Sequence, residues 1–219
     1  SVDMVNQVLA IQPMDISGQD IEPKSSRIEL RDVSFSYGNK KIIDRVSLTI
    51  PEKTTTALVG PSGSGKTTLC NLIARFWDVD QGSISLDGHD ARDYSYDSLI
   101  RNFSFVFQSV YLFEDTIANN IRFGKPEASQ EEVIEAAKQA ACHDFILSLP
   151  DGYDTKIGEG GASLSGGERQ RISIARAIIK DAPIIILDEA TANVDPENEE
   201  ALMQAIQALT RDKTIIMIA

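Results

Sequence analysis

A glycine-rich segment between an aliphatic run and an amphipathic helix constrains the fold of this chain most strongly. The segment reads Gly60-Pro-Ser-Gly-Ser-Gly65-Lys66-Thr67 and follows a strand predicted over residues 54–59. The apolar residues after it recur at helical spacing: Leu69, Leu72, Ile73 and Phe76. Glycines allow backbone N–H groups to turn inward around an anion, and a helix N-terminus adds about half a positive charge. The segment therefore predicts a strand, a phosphate-binding loop and a helix in succession.

Individual residues of this segment suit a nucleoside triphosphate with its metal ion. Lys66 supplies a full positive charge for the β- and γ-phosphates, and the Thr67 hydroxyl suits Mg²⁺, which prefers oxygen ligands. The residues expected to contact the nucleotide here are Gly60, Ser62, Gly63, Ser64, Gly65, Lys66, Thr67 and Thr68. A flexible Gly/Ser turn is the alternative interpretation, but such a turn would not require Lys-Thr at this position.

Two adjacent carboxylates follow a short aliphatic run further along the chain. The run 184–187 delivers Asp188 and Glu189 to the end of a buried strand. In open α/β sheets, ligands bind beyond the carboxyl ends of the strands. We therefore expect Asp188 to hold Mg²⁺, directly or through water, and Glu189 to accept a proton from an attacking water. An isolated Asp-Glu pair is usually a solvated turn, so this prediction depends on the glycine-rich segment.

The remaining pattern predicts an α/β fold. The unbroken aliphatic runs at 184–187 and 215–218 are typical of strands buried on both faces of a parallel sheet. Residues 27–37 predict a strand whose alternation changes phase near Asp32, which indicates a bulge. A further strand is predicted from alternating aromatic residues, interpreted as core: Phe103, Phe105 and Phe107. The pattern over 114–148 is helical, and strands that alternate with helices imply a layered α/β domain.

The segment Leu164-Ser-Gly-Gly-Glu-Arg-Gln170 predicts a helix start with an unusual composition. Ser165 and Glu168 have the spacing of a capping box. Gly166 and Gly167 are not needed for that, because glycine costs about 1 kcal/mol relative to alanine in a helix interior. Two glycines are expected where something must approach the backbone closely, such as a second face of the phosphate group.

The order of these motifs resembles the nucleotide-binding domain of ATP-binding cassette (ABC) transporters over about residues 27–219. The resemblance implies an α/β fold: a P-loop NTPase core with a mostly parallel sheet, an antiparallel β subdomain and a helical signature subdomain over about 109–180. It implies an ATPase with ATP and Mg²⁺ as cofactors. It also implies that two copies, identical or sister subunits, pack head to tail around two ATP molecules.

The resemblance also implies roles for particular residues. Tyr37 matches the aromatic residue placed against adenine, although an ordinary alternating strand residue is the other interpretation. Gln108 matches the glutamine that reaches Mg²⁺ and links to the membrane domain, and it joins Lys66 and Glu189 in the catalytic group. Three residues would contact the γ-phosphate bound to the partner copy: Ser165, Gly166 and Gly167. Asp195 matches the loop that crosses the dimer interface.

The beginning of the chain and one later segment favour an exporter. Residues 1–26 are interpreted as the end of a transmembrane-domain helix plus a linker, and residues 27–219 as the ATP-binding domain. The segment 155–161 resembles one typical of exporters, where it meets loops of the transmembrane helices. We therefore expect a transmembrane domain as partner and a location at the cytoplasmic face of the cell membrane. No apolar run approaches the roughly 20 residues that span a bilayer.

Three positions depart from the family pattern. Glu168 replaces a glutamine, which serves equally in a capping box. Ala192 stands where serine is common in the interface loop. The chain ends at Ala219, where the pattern continues with a histidine that senses the γ-phosphate, so the fragment is expected to be weakly active or inactive.

Composition limits the partners and leaves two other functions open. The net charge of −12 disfavours a nucleic-acid backbone, because such binding depends on basic patches. Two cysteines without a CxxC motif or a histidine cluster disfavour a metal site made of side chains alone. A non-transport ABC ATPase acting on ribosomes or DNA, and a catalytically degenerate regulatory cassette, remain as alternatives. The transported substrate is not encoded in these residues.

Overall fold

The computed structural model describes residues 14–107, 109–158, 163–188 and 196–219. In chain order the strands are β1 (Ile28–Tyr37), β2 (Lys40–Ile50), β3 (Thr55–Leu58), β4 (Gln81–Leu86), β5 (His89–Asp90), β6 (Phe103–Val106), β7 (Ile184–Asp188) and β8 (Thr214–Ile218). The helices are α1 (Lys66–Ile73), α2 (Tyr96–Ile100), α3 (Ile117–Arg122), α4 (Gln130–Gln139), α5 (His143–Ser148), α6 (Gly166–Lys180) and α7 (Pro196–Thr210). Short 3₁₀ turns occupy Ala91–Asp93 and Gly152–Asp154.

The chain forms two compact units. The first comprises residues up to Thr49 together with Gly63–Ile100, and the second comprises Ile50–Ser62 together with Arg101–Ala219. Each unit contains one four-stranded sheet: β2-β1-β4-β5 in the first and β3-β8-β7-β6 in the second.

The sheet of the first unit is the antiparallel part of the fold. β1 pairs antiparallel with β4, and β4 pairs antiparallel with β5. The β1–β4 register shifts between Arg31 and Ser34, and Asp32 between them has a φ of 48°. The Asp32 N–H donates to the Ser47 hydroxyl at 2.8 Å, which satisfies a backbone donor near the irregularity. The bulge expected near Asp32 is thereby confirmed.

The sheet of the second unit is parallel throughout. β3 pairs with β8, β8 with β7, and β7 with β6, all in parallel register. Residues 184–187 of β7 are all buried, as the unbroken aliphatic run predicted. The helix α6 packs against α3, α4 and α7 and lies at the centre of the helical part. The α/β fold with a parallel sheet, an antiparallel sheet and helices is confirmed.

The aromatic strand β6 is only partly core. Phe103 is 1% exposed, whereas Phe107, just beyond the strand, is 48% exposed. The two rings are linked through Phe105, which stacks against both at centroid distances of 6.4 and 5.7 Å. The core interpretation was therefore wrong for Phe107, because the strand ends at Val106 and the next side chain leaves the sheet.

Among the described residues, no helix combines the length and the apolar character that crossing a bilayer requires.

Candidate functional site

The first candidate site is the start of α1 in the first unit. Gly65 is the N-cap residue with φ 93° and ψ 11°, and the Leu69 N–H donates to its carbonyl at 2.9 Å. No side chain caps this helix, and its first turn contains no acidic residue. The helix N-terminus therefore retains its partial positive charge with no carboxylate in its own first turn, which suits an anionic ligand.

Glycine is required at position 65 for two reasons. Its positive φ is a conformation that side chains disfavour. A Cβ there would also lie 3.0 Å from Ile43 Cδ1 and 3.1 Å from Ile42 Cγ2, so β2 leaves little space. Gly63, at φ 80°, has no atom within 4 Å of a Cβ, so only its conformation requires glycine. The loop between them is exposed, as is Thr67, whereas Lys66 is half-buried.

Tyr37 lies at the end of β1 in the same unit. Its side chain is 46% exposed and packs edge-on against Phe35, with ring centroids 4.9 Å apart and an interplanar angle of 87°. The edge contact leaves aromatic surface open, and Gly38 then turns the chain with a φ of 56°. An exposed ring held in this way suits stacking against a planar base.

The second candidate site is the carboxyl edge of the parallel sheet. Asp188 is the last residue of β7, is half-buried, and lies opposite Ile218 in the β7–β8 register. Leu58 of β3 also pairs with Ile218. Because these strands are parallel, Asp188 and the beginning of the glycine-rich loop at Gly60 lie at the same edge of one sheet.

Several predicted residues fall outside the described part of the chain. They are Gln108, Glu189 and Asp195, together with Ala192 and residues 159–162 of the exporter-type segment. Their expected roles remain predictions.

The third candidate site is the start of α6 in the second unit. The Glu168 N–H donates to Ser165 Oγ at 3.2 Å, and the Ser165 N–H donates to Glu168 Oε1 at 2.9 Å. This reciprocal pair is the capping box expected from the sequence.

The two glycines at this helix start differ in their surroundings. Among the described residues, a Cβ on Gly166 would meet no atom within 4 Å, whereas a Cβ on Gly167 would lie 2.8 Å from Asn198 Cβ in α7. Packing against Asn198 therefore gives Gly167 a structural reason of its own, and the expected contacts of both glycines with a ligand remain predictions. At Gly167 the close neighbour is a side chain of the same unit, whereas the described part of the chain leaves open space above the backbone of Gly166.

Arg171 is a residue that sequence reasoning missed. It is 7% exposed and donates to the Ala141 carbonyl at 2.6 Å and to Asn198 Oδ1 at 3.0 Å. Its guanidinium lies 5.2 Å from the centroid of the Phe145 ring. Arg171 thus holds α6 against α7 and the end of α4. The one feature of the sequence that pointed to Arg171 was its spacing of four residues from Gly167, which places both residues on the same face of α6.

The described part of the exporter-type segment pairs with the start of α3. Lys156 forms an antiparallel bridge with Thr116. The Ile157 N–H donates to the Asp115 carbonyl at 2.9 Å, and the Ile117 N–H donates to the Thr155 carbonyl at 2.9 Å. The segment is therefore held in place on both sides of residue 156.

An aromatic groove of about 350 Å³ lies in the second unit. Its exposed aromatic side chains are Phe107, Tyr111 and Phe123, and Arg176 also lines it. The Arg176 guanidinium lies 5.7 Å from the centroid of the Phe123 ring and donates to the Asn120 carbonyl at 2.9 Å. Burial lowers the pKa of Arg176. This groove has no signature in the sequence, because its walls come from distant parts of the chain.

Comparisons with known proteins agree on one family. The family model described as "ABC transporter" matches residues 43–192. An ATP-dependent lipid A-core flippase of Vibrio cholerae is 50% identical over 203 residues, which are 91% of this chain and 35% of that protein. A putative multidrug export ATP-binding/permease protein of Staphylococcus aureus is 47% identical over 206 residues, 93% of this chain and 36% of that protein.

A solved structure is similar over the whole chain. It is a bacterial Atm1-family ABC exporter with ATP bound, with a TM-score of 0.85 and 36% identity, and the match covers 100% of this chain and 39% of the other. The chain thus spans about a third of the length of the relatives it matches.

Proposed function

Because the chain belongs to the ABC transporter family, we propose that it is the ATP-binding and ATP-hydrolysing part of an exporter, dimerising around MgATP to drive transport. The observation that carries this proposal is the start of α1. There an uncapped helix N-terminus without acidic residues follows an exposed loop of glycines in left-handed conformations. Such a terminus binds phosphate through its backbone N–H groups.

In this proposal each loop residue has a separate task. The backbone N–H groups of Gly60 and of residues 62–67 surround the phosphates, and Ser62, Ser64 and Thr68 add hydroxyl groups within the same segment. Lys66 neutralises charge on the β- and γ-phosphates. Tyr37 stacks on adenine with the ring face that its edge contact to Phe35 leaves open.

The available donor atoms fit Mg²⁺. The exposed Thr67 hydroxyl and the half-buried Asp188 carboxylate are oxygen donors of the kind Mg²⁺ prefers, and Gln108 would add an amide oxygen. When bound, Mg²⁺ neutralises charge that develops on the phosphate oxygens. Glu189 follows Asp188 directly, and we assign it the acceptance of a proton from the attacking water.

A second copy of the chain completes the site in this proposal. Ser165, Gly166 and Gly167 face the γ-phosphate bound to the partner copy, with Gly166 providing the most open backbone because no atom of the described residues lies within 4 Å of its missing Cβ. Gly167 contributes by allowing Asn198 to pack against the helix start. The partner copy is either identical or a sister subunit.

The membrane domain is the other proposed partner. The exposed rings of Phe107, Tyr111 and Phe123 line one groove, and Phe107 directly precedes Gln108 in the sequence. Exposed apolar surfaces of this kind mark interaction sites. Docking to a membrane domain there, and at the segment 155–161, would place this part of the protein at the cytoplasmic face of the membrane.

Phosphate release from MgATP tests the proposal. We expect weak release by the 219-residue chain, its loss in Glu189→Gln, and ATP binding by calorimetry in both. Glu131→Gln is the matched control, because Glu131 is an exposed acid in the first turn of α4. Measurable release that is equal in wild type and Glu189→Gln would overturn the assigned base, and absence of ATP binding would overturn the function itself.

A further inference from the structure

Residues 15–24, which belong to the first unit, form a strap that is hydrogen-bonded to the rest of that unit. The Gln19 N–H donates to the Asp93 carbonyl at 2.9 Å, and the Ser95 N–H donates to the Gln19 carbonyl at 2.7 Å. The Ser98 hydroxyl donates to the same Gln19 carbonyl at 3.2 Å. A segment expected to be a linker is therefore paired in parallel with the chain that leads into α2.

The strap lies so close to this chain that position 18 has no space for a side chain. A Cβ on Gly18 would lie 2.4 Å from the Tyr94 carbonyl oxygen and 2.8 Å from the Ser95 nitrogen. The Tyr96 N–H also donates to the Ile16 carbonyl, at 3.2 Å. Tyr94 itself is fully buried, so the surface against which Gly18 lies is part of the core of this unit.

Arg75 connects the strap to the helix that begins at the phosphate loop. It lies two residues beyond the end of α1 and is 3% exposed. Its guanidinium donates through Nη2 to the Asp15 carbonyl at 2.6 Å and through Nε to Asp78 Oδ1 at 2.8 Å. The Asp15 carboxylate accepts from the Ser17 N–H at 2.9 Å, which orders the turn that presents this carbonyl.

These contacts form a continuous connection across the first unit. One end of α1 is the phosphate loop, and the other end leads to Arg75 and the strap. An eight-residue helix is about 12 Å long and moves as one body. The strap side chains from Asp15 to Asp20 are exposed, so a few hydrogen bonds hold that part, and local opening is expected to be frequent.

We propose that the strap is a nucleotide-responsive contact, in which ATP at the phosphate loop orders α1 and Arg75 transmits this order to the docked strap. The strap thereby responds to whether the loop is occupied. This inference rests on the proposed ATP site and adds a path from that site to the upstream chain.

Amide hydrogen exchange on the 219-residue chain tests this path. The amides of Gln19, Ser95 and Tyr96 report on the strap, because each donates a hydrogen bond across the contact. We expect MgATP to slow their exchange several-fold in the wild type. In Arg75→Lys, which keeps the charge but not the two-nitrogen geometry, the slowing should disappear while calorimetry still records ATP binding.

Two variants test the docked state without nucleotide. Gly18→Ala should accelerate exchange at Ser95 and Tyr96 about tenfold, because a methyl group does not fit against Tyr94. Gln19→Ala is the matched control and should exchange like the wild type, because only main-chain atoms of Gln19 make the contacts described above. If the amides in Gly18→Ala also exchange at the wild-type rate, the close contact of the strap with Tyr94 is contradicted.

Comparing amide exchange with and without MgATP distinguishes failure of this inference from failure of the proposed function. Wild-type exchange that is the same with and without MgATP, while calorimetry records bound ATP, overturns the transmission through Arg75 and leaves the ATP site intact. Absence of ATP binding overturns both. Retention of the MgATP effect in Arg75→Lys shows that another route carries the response and overturns the role of Arg75.

Discussion

Ser165 and Glu168 satisfy each other's backbone N–H groups at the start of α6, at 3.2 and 2.9 Å. Ser129 and Glu132 do the same at the start of α4, at 3.2 and 2.8 Å. The two helix starts therefore share one capping arrangement, although glycines follow only Ser165. Because the local structure is the same, differences between matched variants of the two serines report on function rather than on capping.

Replacing each serine with alanine separates these contributions. Ser165→Ala and Ser129→Ala should each lower the free energy of unfolding by about 1 kcal/mol, because each removes an N-cap acceptor. Only Ser165→Ala should also reduce MgATP-dependent dimerisation, since its hydroxyl is assigned to the partner's γ-phosphate. Urea unfolding and light scattering measure the two effects. Equal dimerisation in both variants would remove the functional role of Ser165.

Alanine at the two glycine positions of α6 should affect different properties: dimerisation at position 166 and stability at position 167. Gly166→Ala should leave the free energy of unfolding within about 0.5 kcal/mol, because no atom lies near the added methyl group. It should nevertheless abolish MgATP-dependent dimerisation, because the methyl group covers the exposed backbone. Light scattering in the Glu189→Gln background is the measurement, and normal dimerisation would contradict the assigned contact.

Gly167→Ala should instead destabilise the fold. The methyl group would lie 2.8 Å from Asn198 Cβ and would displace the side chain that accepts a bond from Arg171 at 3.0 Å. Overpacking of this kind costs about 1–3 kcal/mol. Thermal unfolding compares Gly167→Ala with Gly166→Ala. Similar melting temperatures for the two variants would contradict the prediction and show that α7 moves away at little cost in stability.

Two tyrosines make stability depend on alkaline pH. Burial, with the nearby negative charge of Asp87, raises the pKa of Tyr94 from 10.0 to about 12, and burial raises the pKa of Tyr153 to about 12. The neutral phenol is favoured in the folded state, so its contribution to stability is complete below pH 10 and disappears as pH rises from 10 to 12. The neutral Tyr94 hydroxyl donates to the Leu86 carbonyl at 2.7 Å.

Ultraviolet titration of the folded chain checks this pH dependence. Two phenols should ionise near pH 12, and Tyr94→Phe should remove one of them. Ionisation of every phenol near its ordinary value in the folded protein would contradict the burial described for these residues.

The two thiols should be unreactive in the folded protein. Cys142 is fully buried, and burial raises the pKa of its thiol to about 12, while Cys70 is 3% exposed. The thiolate is the reactive form, so a disulfide reagent near neutral pH should label neither residue in the native state. Both should react after unfolding in urea. Rapid labelling of native protein would reveal frequent opening around one of the two sites.

Short-range patterns predicted much of the local structure. The strand, loop and helix around Gly65, the irregularity at Asp32 and the capping box at Ser165 were all anticipated. The parallel pairing of the aliphatic strand β7 was also anticipated. The first three depend on dihedral preferences, periodicity or hydrogen bonds between residues a few positions apart. The parallel pairing was readable because an unbroken aliphatic run is typical of a strand buried on both faces of a parallel sheet.

Tertiary structure alone decided which long-range neighbour each residue meets. It placed Asn198 against Gly167, buried Arg171 between α6 and α7, and laid Gly18 against Tyr94. It also assembled the aromatic groove around Arg176 from segments far apart in the chain. The physical reason is that glycine and arginine have no periodic signature of their own, so their roles follow from the volume and charge that packing brings next to them.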